Sequence, residues 1–492
     1  MLTALSLAIP YFLGLGMLVA VVVPGLLDEA VRLPRRERGA LPALFLAAGI
    51  LIDYLLVLAI GNLHAASAVG ALLAVAGAGF VVLKLRGKVL HLLALGRVAW
   101  VLIPYLALLY GIPIFLDPLA AGDARSIWFF HGKMIYYSGG LTPATGLATA
   151  PVAFSHVDYP KLVGVIAAQF AMVAGYWNEF LPKGSLAVLL LPPLLGVVSF
   201  FRGVRISAVY LVSVLFFGAG WTLWNGYMDG YLALYAAVSL LFWGRWLTSG
   251  SAIDLCGGVL MLGMVMNLKN EGVLFALALA TALLGTLFIR DLSGGDRGSG
   301  TGDRELSGGD RDSESGRHKS VTFDNVGQHQ FLFHLLHWSP VPGPRFLVAP
   351  LLPLLCVAVW AVKKSAWGLE NDLRLGAGSL PIIVTHLRDG GAAVIGNALI
   401  VNALVGKAAI IAAGAAAAAA AFRVRIPAGF WLAVVTGFIY FTGMFCVYLA
   451  TPADLQWHLS TSADRTMMTV LAALFAGTFL VMLEIEKPGM RE

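Results

Sequence analysis

The residues with the greatest potential for chemistry fall between Asp123 and Lys161, in the stretch DARSIWFFHGKMIYYSGGLTPATGLATAPVAFSHVDYPK. It gathers Asp123, Arg125, His131, Lys133, His156, Asp158 and Tyr159 in a chain otherwise poor in ionisable groups. A carboxylate such as Asp123 can take a proton from an attacking hydroxyl while neighbouring Arg, His and Lys side chains hold phosphate oxygens. Over 124–137 the spacing predicts a helix, with Arg125, Trp128, Phe129 and Lys133 sharing part of one face. Asp123 would then stand where a helix cap stands, and capping alone accounts for it as well as base chemistry does. His156 and Asp158, just before Pro160, offer two metal ligands or two helix-start groups, and two ligands do not make a site.

Other polar motifs recur at the ends of apolar segments. Residues 267–272, NLKNEG, place Lys269, Asn270 and Glu271 at the start of one, where caps or groups for sugar hydroxyls would serve. Residues 225–231, NGYMDGY, read as a turn carrying Asp229. In 457–465, WHLSTSADR, Thr461 and Asp464 match a capping box before the last apolar segment, which leaves His458 and Arg465 unexplained. Lys407, with Asn397 and Asn402, lies in a long apolar run, where an ionisable residue is either functional or snorkels to a helix end. No Walker A, Rossmann, HExxH or nucleophile-elbow pattern occurs in a convincing context.

The elements that position these residues follow from composition. Of 492 residues, 59% are hydrophobic and 12% charged, against about 25% charged in a soluble domain. The chain therefore reads as an all-α, polytopic transmembrane bundle, since a spanning helix needs about 20 apolar residues and must satisfy its own backbone. About fourteen apolar segments meet the length criterion, giving an expectation of about 12–14 spans. The net charge of +6 and pI near 9.2 record topology and imply no nucleic acid. Cys256, Cys356 and Cys446 fall in apolar segments and suggest neither disulfide nor metal. With no Lys or Arg before Arg32, the first run reads as a retained span.

Placing the basic clusters on the cytoplasmic side puts the N-terminus and the polar motifs on the opposite face together. Between Lys161 and Arg202 two apolar segments then compete for one crossing, so one is re-entrant or Arg202 and Arg205 break the rule. Lys363, Lys364, Arg374 and Arg388 on the outer face either weaken the rule or point to an anionic ligand. The organisation read from these features is N-terminal spans at 1–116, an extracytoplasmic loop with a juxtamembrane helix at 117–161, a central bundle at 162–290, a flexible cytoplasmic linker at 291–345 and a C-terminal bundle at 346–492. The linker repeats LSGGDR at 292–297 and 306–311 and is too polar to bury a core. FLFHLLHW at 331–338 suggests an interfacial helix.

From about Asp117 onward, linker excepted, the chain resembles polytopic glycosyltransferases of the GT-C superfamily, in particular the bacterial protein mannosyltransferase and aminoarabinose transferase group. The resemblance rests on DARSIWFFHGK, SHVDYPK, NEFLPKG, KNEG and YLATPADLQWHLSTSADR. It implies a multi-pass protein of a bacterial-type plasma (inner) membrane with its site on the extracytoplasmic face. A polyprenyl-phosphate sugar would be the donor, and a glycan, lipid or protein the acceptor. Asp123 becomes the catalytic base. Arg125, His131, Lys133, His156, Asp158, Tyr159, Asp229, Lys269, Asn270, Glu271, His458 and Arg465 become donor or acceptor contacts, with Arg374 a further phosphate candidate. Val157 stands where the family has proline, and Ala124 where many members have a second carboxylate. A divalent metal such as Mg or Mn, with His156 and Asp158 as ligands, is therefore not a firm part of the expectation. The competing classes are a transporter or lipid/glycan flippase, and an O-antigen ligase or polymerase using a lipid-pyrophosphate donor.

Overall fold

Where no water reaches the backbone, a chain must close its hydrogen bonds within helices or a closed barrel. The computed structural model describes residues 2–23, 25–34, 37–85, 97–201, 205–295, 348–370 and 378–487, and among these it is built of helices, with one isolated bridge joining Asn62 and Gly140. The 331–338 piece, nearly all of the linker and Arg374 lie outside the described residues.

In chain order the elements are α1 (Leu2–Val22), α2 (Ala40–Ile60), α3 (Leu63–Leu85), α4 (Arg97–Leu116), α5 (Phe129–Ser138), α6 (Leu162–Ala174), α7 (Leu181–Val198) and α8 (Ile206–Phe217). They continue as α9 (Asp229–Ser249), α10 (Ala252–Leu268), α11 (Glu271–Gly295), α12 (Val348–Ala366), α13 (Ser379–Arg388), α14 (Gly391–Asn402), α15 (Val405–Ala421), α16 (Ala428–Leu449) and α17 (Leu455–Ile485). Among the described residues 7 helices are long and apolar enough to cross a membrane, or up to 8 if the bent pair α14 and α15 forms one span. This is a multi-pass helical membrane protein, with fewer full-length spans than the count of apolar segments predicts. Part of the difference arises because apolar length does not guarantee helix length: α6, α8 and α10 are apolar but have fewer than 18 residues.

The long run at 391–421 is not one helix. Its halves meet at 57°, because the turn Asn397–Asn402 widens to π geometry and Leu404 takes a left-handed conformation (φ +62°), which interrupts the regular ladder. Lys407 is exposed just past this break.

Helices α6 and α7 are the two apolar segments between Lys161 and Arg202. The 13 residues of α6 extend roughly 20 Å, short of the about 30 Å hydrocarbon layer. Before it, Lys161 Nζ lies 3.1 Å from His131 Nδ1. After it, the Glu179 carbonyl accepts from Leu119 N at 3.0 Å, and Lys183 Nζ donates to the carbonyls of Pro113 and Asp117 at 3.1 and 2.9 Å. Both ends of α6 therefore abut the 113–131 stretch; α6 is shorter than a span, whereas α7 is long and apolar enough to cross.

Helix α2 is the hub of the first half, packing on α1, α7, α10 and α12, whereas α9 packs on α10, α16 and α17. Tyr235 shows how a buried polar group is accommodated. Pro193 has no N–H for the Leu189 carbonyl one turn earlier, and the Tyr235 hydroxyl donates to that carbonyl at 2.8 Å, which ties α9 to α7. Close packing of α1 on α2 relies on small residues: a Cβ at Gly49 would fall 1.8 Å from the Phe12 carbonyl oxygen. Gly49→Val should therefore lower the unfolding midpoint in detergent by several degrees, whereas Gly285→Ala, where a Cβ meets nothing within 4 Å, should leave it unchanged or raise it. Equal midpoints for the two variants would refute the close helix contact.

Candidate functional site

Asp123 precedes a five-residue π-type turn, Ala124–Trp128, that leads into α5. Its side chain makes no cap bond there. The carboxylate instead pairs with the guanidinium of Arg465 on α17, so the capping role does not hold. Charge complementarity decides this, since an Arg brought out of bulk water needs a carboxylate more than a helix start needs a cap. Arg465 is held in place by its own helix, with Nε and Nη2 donating to the Thr461 carbonyl at 3.1 and 2.8 Å, and its guanidinium lies 4.6 Å from the centre of the Tyr227 ring.

From Arg465 the charges alternate along a row. Its Nη1 is 3.7 Å from Asp229 Oδ2, Lys269 Nζ is 2.9 Å from Asp229 Oδ1, and Lys269 Nζ is 3.0 Å from Glu271 Oε1. Side-chain exposure falls from 37% at Asp123 to 5% at Asp229 and rises again to 19% at Glu271, so the row is most open at Asp123 and most buried in its middle. Asp229 and Glu271 are each the first residue of their helix, where the helix dipole favours a carboxylate. Their helix-start role and their place in the network coexist. Gly226 lets the 225–231 turn approach: its φ is +94°, and a Cβ there would lie 2.8 Å from Ala124 Cβ.

A second group adjoins the first through Asn270, whose Nδ2 donates to Asp158 Oδ2 at 2.5 Å. Lys364 on α12 stands 3.8 Å from the same carboxylate oxygen, and Trp360 Nε1 donates to the Asp158 carbonyl at 3.1 Å. The Tyr159 ring lies between the groups, stacked on Trp128 on one side and His156 on the other, with Lys269 Nζ 6.0 Å from its centre. His156 itself has φ +49°.

Behind them Lys161 is buried, its backbone N–H donating to the Tyr54 hydroxyl at 3.0 Å and its Nζ to His131 Nδ1 at 3.1 Å. His131 Nε2 is 2.9 Å from Ser155 Oγ, which donates to the Val152 carbonyl at 2.6 Å. These contacts are satisfied together by a neutral imidazole with its proton on Nε2. Burial, reinforced by Lys161 and His156, holds the His131 pKa well below its usual range. Burial likewise lowers that of Lys161 well below the ordinary lysine range, with Lys364 adding to the effect and Asp158 opposing it. Lys269 goes the other way, because Asp229 and Glu271 outweigh burial and hold its ammonium well above the usual range.

Of the residues singled out in the sequence, Asp123, Asp158, Tyr159, Asp229, Lys269, Asn270, Glu271 and Arg465 come together. Arg125 is exposed beside Asp123, Lys133 faces Glu179 at 3.8 Å, and His131 turns to Lys161. His458 Nδ1 lies 2.9 Å from Thr451 Oγ1 and its ring against Tyr448. The capping box at Thr461 and Asp464 is not realised, because α17 starts at Leu455, where Asp454 accepts from Trp457 N at 2.8 Å. Sequence reading missed Lys161 as more than a boundary. Its signal was a lysine placed between Pro160 and a strongly apolar run. His156 and Asp158 do not fit a shared metal: the Asp158 carboxylate is taken up by Asn270 and faces Lys364, while the His156 ring stacks on Tyr159. Among the described residues no group of three or more His, Cys, Asp or Glu could hold an ion.

Removing Lys269 leaves Glu271 without its cation and Asp229 with Arg465 alone, at 3.7 Å, so Lys269→Met should cost about 3–5 kcal/mol of stability. Adding Asp229→Asn and Glu271→Gln should recover most of it. Denaturant unfolding in detergent measures both, and a Lys269→Met loss near zero would break the network. The folded His131 resists protonation, whereas the unfolded imidazole takes a proton near its ordinary pKa of about 6.5. Below that pH the unfolded state binds more protons, and stability should fall as the pH drops. His131→Gln should flatten that dependence between about pH 6.5 and 5, read from the thermal midpoint. An unchanged slope would contradict the neutral imidazole.

Comparison with family models, curated proteins and solved structures finds no match for the chain.

Proposed function

We propose that the protein is a membrane glycosyltransferase of the GT-C kind, moving a sugar from a polyprenyl phosphate to a hydroxyl-bearing acceptor, whether glycan, lipid or protein, at the extracytoplasmic face of a bacterial-type inner membrane. The observation that carries this reading is the partly exposed Asp123 carboxylate, held by Arg465 at the mouth of a row of charges in an otherwise apolar bundle.

In this reaction Asp123 accepts the proton of the acceptor hydroxyl as the acceptor oxygen bonds to the anomeric carbon. The bond from that carbon to the phosphate oxygen breaks, and the lipid phosphate leaves with the electron pair. A phosphate is a competent leaving group, so protonation of the departing oxygen is not required. Arg465 orients the base, and exposed Arg125 is the nearest cation in sequence for the departing phosphate. The alternating charges behind Arg465 keep it from turning toward bulk water, and the apolar bundle suits the isoprenoid tail of the donor.

The test is transfer by the protein in nanodiscs, from radiolabelled polyprenyl-phosphate hexoses and pentoses to an envelope acceptor extract. The wild type should transfer label from at least one donor, and Asp123→Asn should reduce that rate by about 10²–10⁴-fold while the variant still purifies as a folded, monodisperse protein. Full activity in Asp123→Asn removes the proposed base. A wild type that turns over no donor overturns the assignment.

A further inference from the structure

Asp53 lies within the spanning helix α2 and is fully buried. A charge at membrane depth is costly unless a partner offsets it. Among the described residues no cation pairs with Asp53. The cations on the helices packed against α2 are engaged or exposed elsewhere. Lys183 of α7 bonds the Pro113 and Asp117 carbonyls, Lys363 and Lys364 of α12 face Trp367 and Asp158, and His64 and Lys84 of α3 are exposed. What surrounds the carboxyl is neutral. Its Oδ1 accepts from the Tyr11 hydroxyl of α1 at 2.5 Å and from Gln169 Nε2 of α6 at 2.9 Å, and the same Nε2 lies 3.2 Å from Ser67 Oγ of α3. These contacts occupy both lone pairs of Oδ1 and both hydrogens of the amide nitrogen. The oxygens left over, Asp53 Oδ2 and Gln169 Oε1, are each sealed from solvent and without a hydrogen-bond partner. They belong to groups that one hydrogen bond already joins.

An ionised carboxylate and an amide oxygen are both acceptors, so an ionised Asp53 cannot satisfy Gln169, and water reaches neither oxygen. A single added proton removes both deficits together with the charge. A protonated carboxyl carries one O–H donor, and a carboxylic acid pairs with a primary amide through two parallel bonds, N–H to the acid carbonyl and acid O–H to the amide carbonyl. The first of these bonds is present. We propose that Asp53 is an intramembrane proton-binding site: at neutral pH it holds one proton on Oδ2, which donates to Gln169 Oε1 and closes a neutral acid–amide pair. The ligand is a proton, which needs no open surface at the two oxygens. The closed pair ties α1, α3 and α6 to α2 without a buried charge. Loss of the proton would set a lone carboxylate against an amide oxygen inside the bundle, so the packing of these helices depends on its being held. The site stands independently of the proposed sugar transfer.

The experiment is infrared spectroscopy of the full chain at neutral pH in dodecyl maltoside, a detergent with no carbonyl of its own. The difference between wild type and Asp53→Asn should contain the carbonyl stretch of one protonated carboxyl, and this band should move when aspartate carries carbon-13 in its side-chain carboxyl. It should lie below the band of a monomeric carboxylic acid in a hydrocarbon solvent, as a hydrogen-bonded pair requires, and Gln169→Leu should raise it toward that position. Asp53→Asn, whose amide N–H takes the place of the acid O–H toward Gln169, should unfold at the wild-type midpoint. A carboxylate band in the difference spectrum where the acid band is expected overturns the proton. An acid band at the free-acid position, unmoved by Gln169→Leu, overturns the pair, and an Asp53→Asn that unfolds well below the wild type contradicts both. Should Gln169→Leu not fold, the presence of the wild-type band decides the proton and its position decides the pair.

Discussion

Arg465 is a single cation that two carboxylates from different parts of the chain share, and the geometry of the polar end of the molecule depends on it. In a bundle that keeps most of its surface for lipid, an unpaired charge at this depth costs several kcal/mol. The charges are consequently laid out in a row in which each has an opposite neighbour: Asp123, Arg465, Asp229, Lys269, Glu271. The five residues come from four places in the chain, so the row also stitches together the loop before α5, the start of α9, the junction of α10 and α11, and the first third of α17. Because α17 follows the linker and Asp123 precedes it, this pairing joins the two sides of the chain at the place where the open carboxylate sits.

Much of this was legible in the sequence because lipid imposes a strict rule on composition. Helical class, the polar stretch from Asp123 to Lys161 and the start of α11 at Glu271 could be read from apolar length and from carboxylates at helix starts. Charge bias also placed Arg205 and Arg245 away from the polar motifs, and the structure agrees. Arg245 lies roughly 24 Å along α9 from Asp229, paired with Asp254, while Arg205 bonds the Glu486 carbonyl at the far end of α17. What the sequence could not convey is partner choice. Asp123 looks like a cap, and nothing local shows that an arginine 342 residues away will claim it. Lys161 reads as a boundary and His131 as a substrate contact, and the two are a buried pair, because α6 packs against α5. The break at Leu404 was hidden for a related reason, since apolar length says nothing of a single residue in a left-handed conformation.

The two ends of α6 illustrate how the fold divides its labour. Near Lys161 the helix closes off the charged region with the buried hydrogen bond between Lys161 and His131. Further along, Gln169 meets Asp53 and Tyr11 in a polar cluster enclosed by apolar walls. A charged, partly open region and a neutral polar cluster thus sit at different points along one short element.

The convergence of the two sides of the chain on Asp123 and Arg465 is the claim on which the rest stands, and cross-linking tests it most directly. In a Cys446→Ser background, which removes the exposed native thiol while Cys256 and Cys356 stay buried, cysteines at positions 123 and 465 would be treated with a short bifunctional thiol reagent. A protease site inserted in the 296–347 segment would then be cut. The account predicts that the two fragments stay joined on a denaturing gel only when both cysteines are present. Fragments that separate despite both cysteines being modified would contradict it.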